Sequence, residues 1–243
     1  MRLSKQTAAL TMIAAATALS CAHLKPFYET AESCEPIRPA TERVVPPTLV
    51  DDAEEGRDRI VAHDGRSGYL YVYFDNATYL VRNPGDHGPG AHPIRGGANG
   101  SRCAFNLRGR LASRMEPFAG LGLNMTHPLG PYDASRYAGI SFMARRSADS
   151  TTRIAVKFPD WNSEPPGGCT KCFNHFHREI VVTESWAKYT VLFDSLEQYP
   201  GWGAPRPAKV DSSRLFGILF QVDSSGHPFD VWIDDVTFVE PAP

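Results

Sequence analysis

The sequence predicts an all-β fold, a two-sheet antiparallel β-sandwich. Three observations predict it. Short segments alternate apolar and polar residues with a period of two, as half-buried strands do. Loops rich in Gly, Pro and Asn, such as residues 83–101, separate them. No long stretch of helical period competes with these segments after residue 20. The 243 residues include 20 Gly and 20 Pro, and 42% are hydrophobic. That supplies one sizeable core, and the frequent breakers favour short strands over helical bundles.

The first element is a targeting segment, residues 1–20. Arg2 and Lys5 precede an apolar run from Thr7 to Leu19, the pattern of a secretory signal. The run ends at Ala18-Leu19-Ser20-Cys21, which resembles the lipobox of bacterial lipoproteins. The resemblance implies lipidation at Cys21, membrane contact through that anchor only, and an exported outer-membrane lipoprotein on its periplasmic or cell-surface side. The other reading is an ordinary signal cut near Ala22. Residues 21–48, with Pro26, Pro36, Pro39, Pro46 and Pro47, read as a stiff tether. Residues 49–240 are expected to form the sandwich.

The strands follow in order. In 69–74, Tyr69, Tyr71 and Tyr73 face one side, and Leu70, Val72 and Phe74 the other. Ile140, Phe142 and Ala144 alternate in the next clear strand, followed by Ile154, Val156 and Phe158. Tyr189, Val191 and Phe193 repeat the pattern. Residues 215–222 are almost wholly apolar, so both faces of that strand are expected to be covered. The last strand spans about 229–239.

Composition excludes some functions. With 25 Lys and Arg against 27 Asp and Glu, the net charge is −2. No basic field is present to gather nucleic acid. Ser224, His227 and Asp230 have the residue types of a hydrolytic triad but no nucleophile elbow, and a polar turn explains them. No catalytic acid pair is assignable from the sequence, so the chain is expected not to be an enzyme.

Three features remain. Acidic segments open and close the domain, at Asp51-Asp52-Ala53-Glu54-Glu55 and Asp234-Asp235. First and last strands often lie side by side in antiparallel sandwiches, so Glu54, Asp235 and Asp52 could converge on Ca2+, which takes oxygen ligands. Solvated strand ends are the competing explanation. The second feature is Cys169-Thr-Lys-Cys172-Phe-Asn-His175-Phe-His177. Zinc could take two thiols and two imidazoles, but export favours a Cys169–Cys172 disulfide. His175 and His177 would then line a groove. Cys34 stays free or bridges to Cys103. The third is aromatic supply. Sugar rings stack their C–H faces on aromatic rings while polar neighbours bond the hydroxyls. Tyr71, Tyr73, Trp161, His175 and Gln221 suit such a ligand-binding platform. Core packing is the alternative for any one ring. It is weakest for the tyrosine stripe, whose opposite face is already apolar enough for the core.

Several segments together resemble a known family. Asp51-Asp52-Ala53-Glu54-Glu55-Gly56 resembles its DDFEDG opening, with Ala53 and Glu55 departing from it. Tyr71-Val72-Tyr73-Phe74-Asp75 is similar to WYVYND, and Tyr132 to Phe142 to YDASxYxGISF. Cys169 to His177, Thr183 to Tyr189, Gln198 to Gly203 and Phe229 to Val236 complete the series. These are segments of the galactose-binding-like β-sandwiches, close to the family 11 carbohydrate-binding modules. The resemblance implies a jelly roll, a structural calcium held by Glu54 and Asp235, and a groove for polysaccharide, often a β-glucan. The function expected is non-catalytic carbohydrate binding by a lipid-anchored protein. The alternative is a structural or protein-interaction module of the cell envelope with envelope proteins as partners, a role that the related complex I intermediate-associated sandwiches illustrate.

Overall fold

The structure, a computed structural model, describes residues 31–35, 44–86 and 88–242. The expected signal segment, Cys21 and most of the expected tether lie outside the described residues. Twelve strands follow in order: β1 (Leu49–Asp51), β2 (Leu70–Phe74), β3 (Tyr79–Val81), β4 (Ile94–Arg95), β5 (Cys103–Arg110), β6 (Ala119–Asn124), β7 (Gly139–Arg146), β8 (Arg153–Phe158), β9 (Phe176–Val181), β10 (Ala187–Leu192), β11 (Gly217–Val222) and β12 (Pro228–Val239).

They form two antiparallel sheets, as the sequence predicts. One has five strands in the order β2-β6-β11-β8-β9. The other has seven, β10-β7-β12-β5-β3, with β1 on β12 and β4 on β5. The first and last strands are indeed neighbours, with Leu49 opposite Thr237. The inward residues of the two sheets make one core. Ile140, Phe142 and Ala144 of β7 and Val231 and Ile233 of β12 face Ile154 and Val156 of β8 and Ile218 and Phe220 of β11. The Phe142 and Phe220 rings meet edge-on across the sandwich at 4.9 Å. Burying such a side chain stabilises by roughly 1.5–3 kcal/mol.

Strands β3, β4, β5 and β6 are additions to the sequence reading. In β6 every second residue is inward and apolar (Ala119, Leu121, Leu123), but two outward positions are Gly120 and Gly122. Alternation with glycine looks like a loop in sequence. Leu219 of β11 is 6% exposed although it points outward, so that strand is covered on both faces.

Part of the expected tether is stitched to the domain. Ser33 bridges Ile94, the Cys34 amide donates to the Pro93 carbonyl at 3.2 Å, and Cys34 is disulfide-bonded to Cys103. Prolines prevent a continuous strand, but one bridge and one crosslink need only a few extended residues.

Asp75 secures the end of β2. Its Oδ1 accepts the Ala77 and Thr78 amides, and its Oδ2 accepts the Thr78 hydroxyl and the Phe118 amide. Burial pushes its pKa up, but these bonds outweigh that and hold it at about 2. Asp75→Ala is expected to cost about 3 kcal/mol by orphaning these donors. Urea unfolding checks this, and a change below about 1 kcal/mol refutes it.

Candidate functional site

The outer face of the five-stranded sheet is built in two rows fixed by register. Tyr71, Gly122, Leu219, Lys157 and His177 lie side by side across β2, β6, β11, β8 and β9. The neighbouring row is Tyr73, Gly120, Gln221, Ala155 and Glu179. At about 4.8 Å between strands, each row spans about 19 Å.

The tyrosines lie down on the glycines. A Cβ on Gly122 would sit 2.3 Å from Cζ of Tyr71, and one on Gly120 would sit 2.2 Å from Cζ of Tyr73. Only glycine permits this approach. The ring centroids of Tyr71 and Tyr73 are 6.0 Å apart, and Tyr69 and Phe118 extend the ladder at 5.7 and 6.1 Å. The Tyr73 hydroxyl donates to Gln221 Oε1 at 3.4 Å. Burial raises both phenol pKa values, so both hydroxyls stay neutral donors.

The far half of the face is polar. Burial lowers the Lys157 pKa to about 8, opposed by the nearby Asp223 carboxylate. Tyr199 stacks on His177 at 3.9 Å, and the Lys157 ammonium lies 5.6 Å from the Tyr199 ring centroid. A hollow of about 290 Å³ opens between His177, Glu179, Glu197 and Tyr199. Sequence reasoning missed Lys157, Tyr199 and Asp223. The alternating Gly120 and Gly122 were the available signal for the platform.

The expected site residues separate. Tyr71, Tyr73 and Gln221 come together on this face. Trp161 sits in the turn after β8, stacked on Phe216 at 6.4 Å with the Arg214 guanidinium 4.9 Å from its ring centroid. His175 is only 6% exposed, and both ring nitrogens are engaged inside the protein. Nδ1 is 3.0 Å from Ser163 Oγ, and Nε2 is 3.4 Å from Glu164 Oε1. Burial lowers its pKa to about 3 and raises that of Glu164 to about 7. His175 therefore braces the 160–168 turn, and His177, in the outer row by register, is itself 3% exposed beneath the Tyr199 ring. Cys169 and Cys172 are disulfide-bonded to each other, so the zinc alternative has no free thiols there.

The acidic end has its own arrangement. Glu54 Oε1 accepts the Ser101 hydroxyl and the Arg102 and Cys103 amides, and its Oε2 accepts Arg102 Nε at 2.9 Å. Burial raises its pKa, but these bonds prevail and hold it below the usual glutamate value. That carboxylate serves as a clamp on the 101–103 backbone. Asp52 is buried with its Oδ1 3.4 Å from the Glu54 amide, and Asp235 occupies a bulge with a positive φ of 50°. Two further carboxylates at this end, Asp51 and Asp234, are buried. Asp51 accepts the Ala53 and Val61 amides, and Asp234 the Ala98 and Asp235 amides. Burial pushes each up to about 7, and the Asp234 charge adds to the rise at Asp51. Buried carboxylates of this kind are the donor type a hard cation takes. Among the described residues no set of three or more His, Cys, Asp or Glu groups converges as a metal-binding cluster.

A two-sheet sandwich with an aromatic and polar outer face on its smaller sheet has the jelly-roll architecture of the carbohydrate-binding modules. Among solved structures, the fold is similar to the family 11 module of the cellulosomal cellulase Lic26A-Cel5E of Clostridium thermocellum, with TM-score 0.55 and 12% identity over 82% of this chain and 97% of that one. It is also similar to the family 11 module from Clostridium thermocellum in complex with a β-1,3-1,4-mixed-linked tetrasaccharide, with TM-score 0.51 and 14% identity over 70% of this chain and 88% of that one. A family 30 module matches with TM-score 0.52 and 12% identity, over 70% of this chain and 92% of that one. No protein-family model matches the sequence, and no curated protein does.

Proposed function

We propose that the protein binds polysaccharide without catalysis, on the outer face of its five-stranded sheet. The observation that carries this reading is the pair of tyrosine rings, Tyr71 and Tyr73, seated on Gly122 and Gly120. Rings held flat on a sheet offer their other faces to the C–H face of a sugar. Gln221, Lys157 and Asp223 supply the hydrogen bonds that fix orientation. The family 11 module seen with a mixed-linked tetrasaccharide makes a β-1,3-1,4-glucan the first probe. The test is binding of the oxidised protein to a panel of soluble and insoluble polysaccharides. Saturable binding to one glycan class is expected, without turnover. No binding by a folded protein overturns the reading in favour of a protein-interaction module.

The setting proposed is the cell envelope, with Cys21 lipidated. Radiolabelled palmitate incorporation that vanishes in Cys21→Ser checks this.

A calcium at the acidic end is proposed on the chemistry of Asp51 and Asp234, with Glu54, Asp52 and Asp235 beside them. Acids whose folded pKa of about 7 exceeds the free value of 3.8 destabilise the fold as pH rises through that interval. Calcium would offset the cost of burying the charged carboxylates, and protons would compete with it below pH 7. Calcium should therefore raise Tm over chelator at pH 8, and raise it less at pH 5.5. Comparing calcium with chelator at each pH isolates this end from the titration of His175 and Glu164. Equal Tm in both media at pH 8 removes the ion.

A further inference from the structure

The disulfide between Cys169 and Cys172 sits where a loop of the proposed glycan face is held. The two residues between the cysteines, Thr170 and Lys171, carry bonds to the 198–204 loop. The Thr170 amide donates to the Ala204 carbonyl at 2.8 Å, and the Ala204 amide donates to the Lys171 carbonyl at 3.1 Å. Asn174, two residues past the ring, makes the next attachment. It is 1% exposed. Its Nδ2 donates to the Tyr199 and Trp202 carbonyls at 2.9 and 2.7 Å, and its Oδ1 accepts the Tyr199 amide at 3.1 Å. Its own carbonyl accepts Gln198 Nε2 at 2.6 Å. Tyr199, so fixed, lays its ring on His177 and walls the hollow beside Glu179 and Glu197.

Little besides the crosslink holds the segment that carries these bonds. From Pro165 to Phe173 every residue is half-buried or exposed, so no buried side chain fixes this backbone. Phe173 is 59% exposed and has a positive φ of 74°. That left-handed conformation is costly for a residue with a Cβ, and it persists only where its surroundings impose it. Cys172 on one side and Asn174 on the other impose it here, with the bond from the Phe173 amide to the Ser163 carbonyl at 2.8 Å. Opening the ring frees one of those constraints, and the strain relaxes into the chain next to Asn174. The start of the loop has a separate anchor, the backbone bonds between His177 and Glu197 at 2.9 and 3.1 Å. Loss of the crosslink therefore releases the loop from Tyr199 onward and leaves β9 in place.

The two disulfides differ in access. Cys169 and Cys172 are half-buried, whereas Cys34 is 5% exposed and Cys103 is 0% exposed. A reductant meets the first pair and not the second. We propose that the Cys169–Cys172 disulfide is a redox switch on this face. Oxidised, it holds Tyr199 in place as the wall of the hollow; reduced, it lets the wall go and weakens glycan binding. The effect on affinity rests on the carbohydrate reading, whereas the release of the loop does not. The reductant is a dithiol. Its thiolate attacks one sulfur of the pair, forms a mixed disulfide and displaces the other cysteine, and its second thiol then displaces the first. Two electrons pass to Cys169 and Cys172, the two thiol protons of the reductant end on them, and the reductant leaves as its own disulfide. A crosslink of separation 3 restricts the unfolded chain less than one of separation 69, so the fold survives in both states.

The experiment compares three proteins: the oxidised parent, the parent reduced with dithiothreitol, and Cys169→Ser/Cys172→Ser. Reduction is stopped where only Cys169 and Cys172 take an alkylating label in a mass-spectrometric map of an aliquot. Hydrogen exchange reads the loop, and affinity electrophoresis in mixed-linked β-1,3-1,4-glucan reads the face. In both altered proteins the Tyr199 and Ala204 amides are expected to lose protection while β8 and β11 keep theirs. Glucan affinity is expected to fall about tenfold. Reoxidation of the reduced parent should restore both. Asn174→Ala in the oxidised protein should give the same exchange pattern with no change at sulfur, and the serine variant carries the test if Asn174→Ala does not fold. Unchanged protection of Tyr199 and Ala204 after reduction overturns the switch. So does measurable glucan affinity that is equal in both states, and so does loss of protection throughout β8 and β11, the mark of a merely structural crosslink. Exchange decides the inference even where the oxidised protein binds no glucan, a result that counts against the carbohydrate reading alone.

Discussion

The double variant Tyr71→Ala/Tyr73→Ala is expected to bind its polysaccharide at least about a hundredfold more weakly than the parent, with the sandwich still folded. Aromatic residues at the centre of a recognition surface each contribute about 2 kcal/mol or more when truncated, and two of them make at least the hundredfold. Folding should survive because the inward residues of the same strand, Leu70 and Val72, belong to the core and are untouched. Affinity electrophoresis or calorimetry reads the loss, and circular dichroism reads the fold. Gly120→Ala is the complementary change. It adds only a methyl group, but that methyl lands 2.2 Å from Tyr73 Cζ and must lift the ring off the sheet. It should weaken binding in the same direction. If the double variant binds as the parent does, the tyrosine platform is not the site.

Cys34→Ser is expected to produce the largest loss of stability. The Cys34–Cys103 bridge spans a sequence separation of 69. Closing a loop of that length restricts the unfolded chain by about 4 kcal/mol. For a domain of this size that corresponds to a Tm lower by about 10 °C. The Cys169–Cys172 bridge, with a separation of 3, restricts the unfolded chain by only about 2 kcal/mol. Its removal should act locally, on the loop that presents Phe173 and braces His175. Thermal scans of the two single variants beside the parent separate the effects. Equal shifts for both refute the loop-length argument.

Strands with clean alternation were readable from the chain, because side chains of opposite character mark the two faces of β2, β7, β8, β10 and β12. Strand β6 was not, because Gly120 and Gly122 give no polar signal. Their meaning appears only once Tyr71 and Tyr73 are known to lie above them. Tyr71, Tyr73 and Gln221 were legible as outward-facing residues because their neighbours in sequence are core. Lys157, Asp223 and Tyr199 were not. Register joins four strands and a loop to bring them together, and no local spacing encodes register. His175 was misread because a polar residue two positions from another reads as sharing its face. It stands just before β9 begins, and there the chain turns it inward onto Ser163 and Glu164.

The position of the last two strands has a consequence for how the molecule comes into being. Strand β11 is the middle of the five-stranded sheet, and β12 joins β7 to both β5 and β1 in the other. Each sheet therefore lacks its keystone until residues 217–239 have been synthesised. A growing chain on the ribosome holds β5, β6, β7 and β8 each with one edge bare, the edge that β11 or β12 later covers. Such a chain stays open along most of its length, and it closes only when residues 217–239 are free to pair. Stop codons or proteolysis within the final strands should therefore yield exposed edges prone to aggregation, not a smaller domain.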